Sequence, residues 1–134
     1  MLHFSRSDIA SMIAHVIDSL PEEGCGLIAG DPSSTVVSKW FPATNLERSA
    51  KLYSVDPMDF LKADRQAQAS GLEVVGVFHS HTKSDAYPSP TDIELAPDPN
   101  WHYVIISLRH SDPVIRSFRI VQGEVEEETI EVDQ

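Results

Sequence analysis

The sequence predicts an α+β fold, a mixed central sheet flanked by helices. Three observations point there. Apolar residues recur at helical spacing near the N-terminus, where Ile9, Met12, Ile13, Val16, Ile17 and Leu20 share one face. A second helix signal opens at Asp56-Pro57, well inside a series of short apolar runs. After residue 102 the chain reads as three more short runs separated by the turn pairs Asp112-Pro113 and Gln122-Gly123. A length of 134 residues suits one domain, residues 1–134. That is enough to bury a core without disulfide or metal staples.

The first helix is expected over residues 5–20. Ser5 and Asp8 suit a capping box, and Pro21 stops the helix. Residues 24–29 form an apolar run that ends at Gly30-Asp31-Pro32, hence a strand and a turn, and residues 35–41 pair back on it as a hairpin. Residues 42–50 are a polar loop and 51–55 a short strand. The second helix runs from Asp56-Pro57 to about Ser70, closed by Gly71. Residues 73–79 are the most buried strand, because Val74, Val75, Val77 and Phe78 are almost continuously apolar. Residues 80–88 are a loop, and Ser89-Pro90 opens a short helix with Asp92 in its first turn. Residues 103–108, 114–121 and 125–132 are strands.

The net charge of −11 excludes the usual nucleic-acid binder, which needs clustered Lys and Arg for phosphates. Much of the negative excess lies in residues 124–133. A solvated edge strand accounts for it better than an acidic docking edge does. No apolar run approaches a membrane span. Arg6, Asp8, His15 and Asp18 interrupt the N-terminal apolar residues, so this is no signal peptide, and a cytoplasmic location is expected. The single cysteine, Cys25, rules out an internal disulfide and reads as a small buried hydrophobe. The neighbouring Glu23 would raise its pKa rather than activate it.

The chemistry concentrates in one window: His79-Ser80-His81, seven residues, Ser89, two residues, Asp92. Alternate residues of a strand face the same way, so His79 and His81 share a side if the extended backbone persists to His81. Asp92 on the next helix can close a third corner. Two imidazoles and one carboxylate are the ligand set of an open zinc site; a structural zinc would want a fourth protein ligand, usually with several cysteines. Ser89 to Asp92 also reads as a plain capping box, and two strand-end histidines as plain polar residues. Together, at this spacing, they favour the metal. A hydrolase then needs a base for the water proton, which a carboxylate can be. It also needs an oxyanion donor, a role Ser89 can fill. Spacing alone does not choose the base among the many acids.

His79, Ser80, His81, Ser89 and Asp92 reproduce the H-[ST]-H-x7-S-x2-D pattern of the JAMM (MPN+) metalloproteases, and the chain resembles that family over nearly its whole length. Residues 21–30 resemble the family's E-x-x-G strand, and Asn45, Ser49, Tyr53 and Asp56 resemble its N-x-x-x-S-x-x-x-Y-x-x-D stretch. The resemblance implies a JAMM/MPN, cytidine-deaminase-like architecture. It implies one Zn2+ per chain on His79, His81 and Asp92, with Glu23 as general base. Glu22 is one residue out of register and should point elsewhere.

The short, insertion-free form looks like bacterial members rather than eukaryotic deubiquitinases. Cys25-Gly26, Thr44-Asn45, residues 86–89 and 102–104 look most similar to members that free cysteine from a small ubiquitin-like sulfur carrier protein. The implied partner is such a carrier with a thin C-terminal Gly-Gly tail, which could pair with a sheet edge. Lys83, Arg48 and Lys51 are the basic residues nearest the motif or in adjoining loops, and one could meet the carboxylate of a departing cysteine. His102 could support a ligand, though packing beside Trp101 and Tyr103 suits it better; His3, His15 and His110 look like surface residues. The resemblance also implies that copies often pair, and the sequence leaves a homodimer open. Two other readings stand beside the peptidase, namely a non-catalytic binding module of the same fold and a zinc hydrolase of another small amide. A zinc deaminase would need Pro-Cys-x-x-Cys ligands, which one cysteine cannot supply.

Overall fold

Six strands build the main sheet in a computed structural model that describes residues 1–133. In chain order the elements are β1 (Leu2–Ser5), α1 (Arg6–Ser19), β2 (Cys25–Gly30), β3 (Val37–Ala43), α2 (Pro57–Ala69) and β4 (Glu73–His81). They continue with α3 (Pro90–Glu94), β5 (His102–Ser107), β6 (Val114–Val121), β7 (Glu124–Glu128) and β8 (Ile130–Asp133). The sheet order is β3-β2-β4-β5-β6-β7, and β1 pairs separately with β8. Only β4 and β5 run parallel in the main sheet. This is the expected mixed sheet with flanking helices.

The period-2 rule divides the core between the two faces. Ile28, Phe78, Val104 and Ile106 pack with Met12 and Val16 of α1 and with Leu2 and Phe4 of β1. Leu27, Val77 and Tyr103 face the other way and pack with Ala63 of α2. Both faces of β4 are therefore covered, which explains its nearly continuous apolar run. His79 and His81 continue the Val77 row, so they emerge on the α2 side. The helix caps are local and were legible. Ser5 Oγ accepts from the Asp8 amide at 3.1 Å, and Asp56 caps α2 through the Met58 amide at 2.8 Å. Gly71 follows α2 with a φ of +73°, the left-handed position glycine takes without strain. Ile17 and Leu20 extend the helical pattern but are exposed.

Several expectations are corrected. Residues 51–55 are not a strand and hold only the isolated bridge Asn45–Val55. The Asn45 side chain explains this, because it bonds the Leu52 carbonyl and the Ser54 amide, groups a strand partner would otherwise take. The strand expected to end at His79 runs on to His81, paired with β5 through Ser80–Ile106 and His81–Ser107. The strand expected over 125–132 breaks at Thr129 into β7 and β8, and the Thr129 carbonyl accepts from Leu2 N at 2.8 Å. Residues 2–4, to which the sequence assigns no element, form β1 with Ser5 against β8. As expected, the acidic β7 lies at an edge of the main sheet.

Candidate metal centre

Residues at the C-terminal end of β4 converge with α3 on one point. His79 Nε2 lies 3.2 Å from His81 Nε2, and both lie close to Asp92 Oδ2, at 3.2 and 3.0 Å. Both histidines are almost fully buried, and the Asp92 side chain is 10% exposed. The donor set fits a divalent ion. Tetrahedral bonds of about 2.0–2.1 Å separate ligand atoms by about 3.3 Å, close to the spacing of these three atoms.

Each donor is oriented from behind. His81 Nδ1 donates to the Asp85 carbonyl at 2.8 Å, which turns Nε2 toward the cluster. Tyr53 stacks on His79, with centroids 4.1 Å apart and planes at 17°. Burial drives the His79 pKa down and keeps its ring neutral, the form a metal ligand needs. Burial also opposes charge on His81, but hydrogen bonds with Asp92 and the Asp85 carbonyl outweigh it and raise that pKa. Burial would raise the Asp92 carboxyl too; hydrogen bonds from both histidines and the Ser89 amide instead hold it far below the carboxylate range.

Asp92 combines both readings drawn from the sequence. Ser89 Oγ accepts from the Asp92 amide at 3.0 Å, while Asp92 Oδ2 accepts from the Ser89 amide at 2.9 Å, a complete capping box. The same Oδ2 faces the two imidazoles, so the cap fixes the carboxylate that the cluster uses. The Ser89 hydroxyl spends a lone pair on the cap and keeps its proton free to donate.

Glu23 sits just before β2 and is 4% exposed. Its Oε1 has no hydrogen-bond partner among the described residues. Burial is the main reason its pKa rises to about 7; nearby His81 lowers it and Asp92 raises it further. Gly24 N donates to Ser80 Oγ at 2.8 Å, tying the Glu23 turn to β4 between its two histidines. At Gly26, a Cβ would lie 2.4 Å from the Phe78 ring and 2.5 Å from the Phe41 carbonyl, so glycine is required for β2 to sit there. Cys25 is fully buried and its thiol is pushed up to about 12, chiefly by burial, then by Asp59 and Glu23.

The loop over residues 45–55 supplies parts that motif reading named without giving them work. Asn45 Nδ2 donates to the carbonyls of Glu23 and Leu52 at 3.0 and 2.9 Å, fastening the loop to the site. Tyr53 is the stacking partner of His79 and also lines a groove of about 630 Å3 that opens beside Asp92 between Leu52, Phe60, Leu95 and Trp101. Arg48, Lys51 and Lys83 are exposed in loops and form no hydrogen bond or ion pair with the cluster among the described residues. β4 has β2 and β5 on its two sides, so a substrate tail cannot pair beside it; the open edges are β3 and β7. His102 does not support a ligand, since its Nδ1 lies 2.6 Å from Glu128 Oε2. His15 is not a free surface residue: it is half-buried against Trp40 and Phe78, and its Nε2 donates to the Cys25 carbonyl at 2.8 Å.

Residues 5–121 match the family model described as prokaryotic homologs of the JAB domain. The chain belongs to that family. It is thus a JAMM-type hydrolase, in a family whose members depend on zinc. The chain is 41% identical over 131 residues to the CysO-cysteine peptidase of Mycobacterium tuberculosis, covering 95% of this chain and 88% of that protein. A Thermus thermophilus protein named "Probable TtuB-protein conjugate cleaving protease" is 34% identical over 127 residues, covering 92% and 79%. The solution structure of protein DSY2949 from Desulfitobacterium hafniense superimposes with a TM-score of 0.92 at 36% identity, covering 100% of this chain and 94% of that one. No helix among the described residues is long and apolar enough to cross a membrane.

Proposed function

We propose that this JAB-family chain is a zinc peptidase that cleaves the amide bond after the C-terminal glycine of a small ubiquitin-like sulfur carrier protein and releases cysteine. The observation that carries the chemistry is the convergence of His79 Nε2, His81 Nε2 and Asp92 Oδ2 beside the buried, unpartnered carboxylate of Glu23. The relatives' names supply the substrate class: one is a CysO-cysteine peptidase, another is named for cleaving TtuB-protein conjugates.

His79, His81 and Asp92 would hold one ion per chain. Bound there, zinc supplies a Lewis acid for the scissile carbonyl and lowers the pKa of water. Glu23 takes the proton of the attacking water. Glu23 then returns that proton to the leaving amine. Ser89 donates its free hydroxyl proton to the oxyanion. Hydrolysis places OH on the glycine carbonyl carbon, breaks the C–N bond and leaves the second hydrogen on the amine. Tyr53 and the Asp85 carbonyl fix the imidazoles. Residues 1–134 act as one peptidase domain, in the cytoplasm, where a thiol-bearing product and the inert Cys25 stay reduced.

The test is the intact mass of a carrier bearing C-terminal cysteine, before and after incubation with the metal-loaded protein. Loss of one cysteine residue is expected, and is abolished by a chelator or by Glu23→Ala. An unchanged carrier mass with metal bound would defeat the substrate assignment.

A further inference from the structure

The backbone around the catalytic mouth gathers cations in a protein whose net charge is −11. Glu23 N donates to the Ser49 carbonyl at 2.7 Å, and Thr82 Oγ1 donates to the Ala50 carbonyl at 3.1 Å. Residues 49 and 50 therefore bridge from Glu23 to the residue after His81. This closure, across 32 residues of sequence, brings Arg48 and Lys51 to the same rim as Lys83.

The rim is held in shape. Ser49 Oγ accepts from the amides of Lys51 and Leu52 at 3.0 and 3.2 Å. Arg48 adopts a φ of +46°, and its amide donates to the Asn45 carbonyl at 3.2 Å. Among the described residues, none of these three side chains forms an ion pair or a hydrogen bond, whereas Arg109 takes Asp85 at 3.0 Å and Arg116 faces Glu127. Glu47 lines the neighbouring groove but is not paired with any of the three.

We propose that Arg48, Lys51 and Lys83 form a carboxylate-binding rim that selects adducts whose leaving group is a single amino acid with a free α-carboxylate. The inference rests on the peptidase reading above and narrows it. In such an adduct the carboxylate lies one carbon from the scissile nitrogen, so it must enter the mouth together with the bond. In an isopeptide the leaving nitrogen belongs to a lysine side chain, and no free carboxylate accompanies it. The acids near this mouth include Glu23, Asp92, the groove residue Glu47 and Asp85, which is paired with Arg109. Unpaired cations offset them, and a guanidinium adds two-point recognition of a carboxylate. The rim thus favours removal of one terminal residue over cleavage between two proteins.

The experiment compares kcat/KM for one carrier ending in Gly-Gly-Cys, as the free acid and as the C-terminal amide, with the zinc-loaded full chain. The acid is expected to be favoured about tenfold to a hundredfold, the range of one or two charge-assisted hydrogen bonds. The preference should shrink as salt rises, because exposed cations are screened. The triple variant Arg48→Gln, Lys51→Gln, Lys83→Gln should bring the acid-to-amide ratio toward one, while Lys62→Gln on α2 leaves it unchanged. Equal rates on acid and amide in the wild type overturn the rim while leaving the peptidase standing, as does a preference that survives the triple variant. Cleavage of neither substrate defeats the peptidase reading and the rim with it.

Discussion

Glu23 and Glu128 are the same residue in similarly covered surroundings, 4% exposed as a residue and 10% as a side chain respectively, yet their chemistry diverges. Glu128 is surrounded by donors: His102 at 2.6 Å, Ser117 Oγ at 2.8 Å and the N-terminal amine at 3.6 Å. Burial opposes its charge, but these partners win and its pKa falls. At Glu23 nothing answers Oε1, burial wins, and the pKa climbs to about 7. Burial pushes both carboxyls upward; the hydrogen bonds overturn it at Glu128 and nothing does so at Glu23. A satisfied carboxylate joins β5, β6 and β7 to the chain terminus. An unsatisfied one lies near His81 and Asp92, a placement common for groups that act in proton transfer.

The comparison breaks most visibly under substitution. Glu23→Gln should lower kcat/KM by about 10^2- to 10^4-fold, the worth of a general base. It should not lower the melting temperature, since it removes a buried orphan charge. A large fall in stability would show that Glu23 is structural after all. Asp92→Ala should lose bound zinc by elemental analysis and match the chelated enzyme in activity. Ser89→Ala should keep the metal but lose about 10^2- to 10^3-fold in kcat, the usual worth of one oxyanion donor. It should also destabilise by about 1 kcal/mol through the lost cap.

Glu128→Ala should do the opposite of Glu23→Gln. Its expected cost is about 1–3 kcal/mol in denaturant unfolding, because His102 and Ser117 lose their acceptor, while activity per folded molecule holds.

The smallest and most discriminating effect is the pH dependence of stability in metal-free protein. Glu23 binds its proton more tightly folded than unfolded, so its contribution makes stability fall as pH rises from 4.5 to about 7. Glu128 is depressed when folded, so its contribution is present above its ordinary value of 4.5 and lost as pH falls below it. Glu23→Gln and Glu128→Gln should each erase one of these slopes in urea melts, on opposite sides. Two variants with the same pH profile as the wild type would refute the contrast.

Much of the candidate site was readable because its geometry is local. His79 and His81 share a face by strand periodicity, and the Ser89–Asp92 offset is that of a helix cap, so both survive any detail of tertiary packing. The same holds for the caps at Ser5 and Asp56 and for the central position of the apolar strand β4. Glu23 became legible only through its resemblance to a family motif, since spacing could not choose it among 21 acids. The readings that failed were those in which a distant partner outbids local preference. Residues 51–55 have strand-like composition, but Asn45 takes their backbone bonds. Residues 125–132 look continuous, but Leu2 draws the chain away at Thr129. His15 looked like a surface residue until the Cys25 carbonyl was folded against it.

By itself, the sequence pointed to the residues that could bind a metal and placed His79 at a strand end and Asp92 in a helix's first turn, because periodicity and capping act over a few residues. Only the tertiary structure decided that Asp92 Oδ2 meets both imidazoles, that Glu23 Oε1 has no hydrogen-bond partner among the described residues, and that residues 49 and 50 bridge Glu23 to Thr82. Each of those depends on contacts between segments 10 or more residues apart, such as Thr82 with Ala50, which no local pattern encodes.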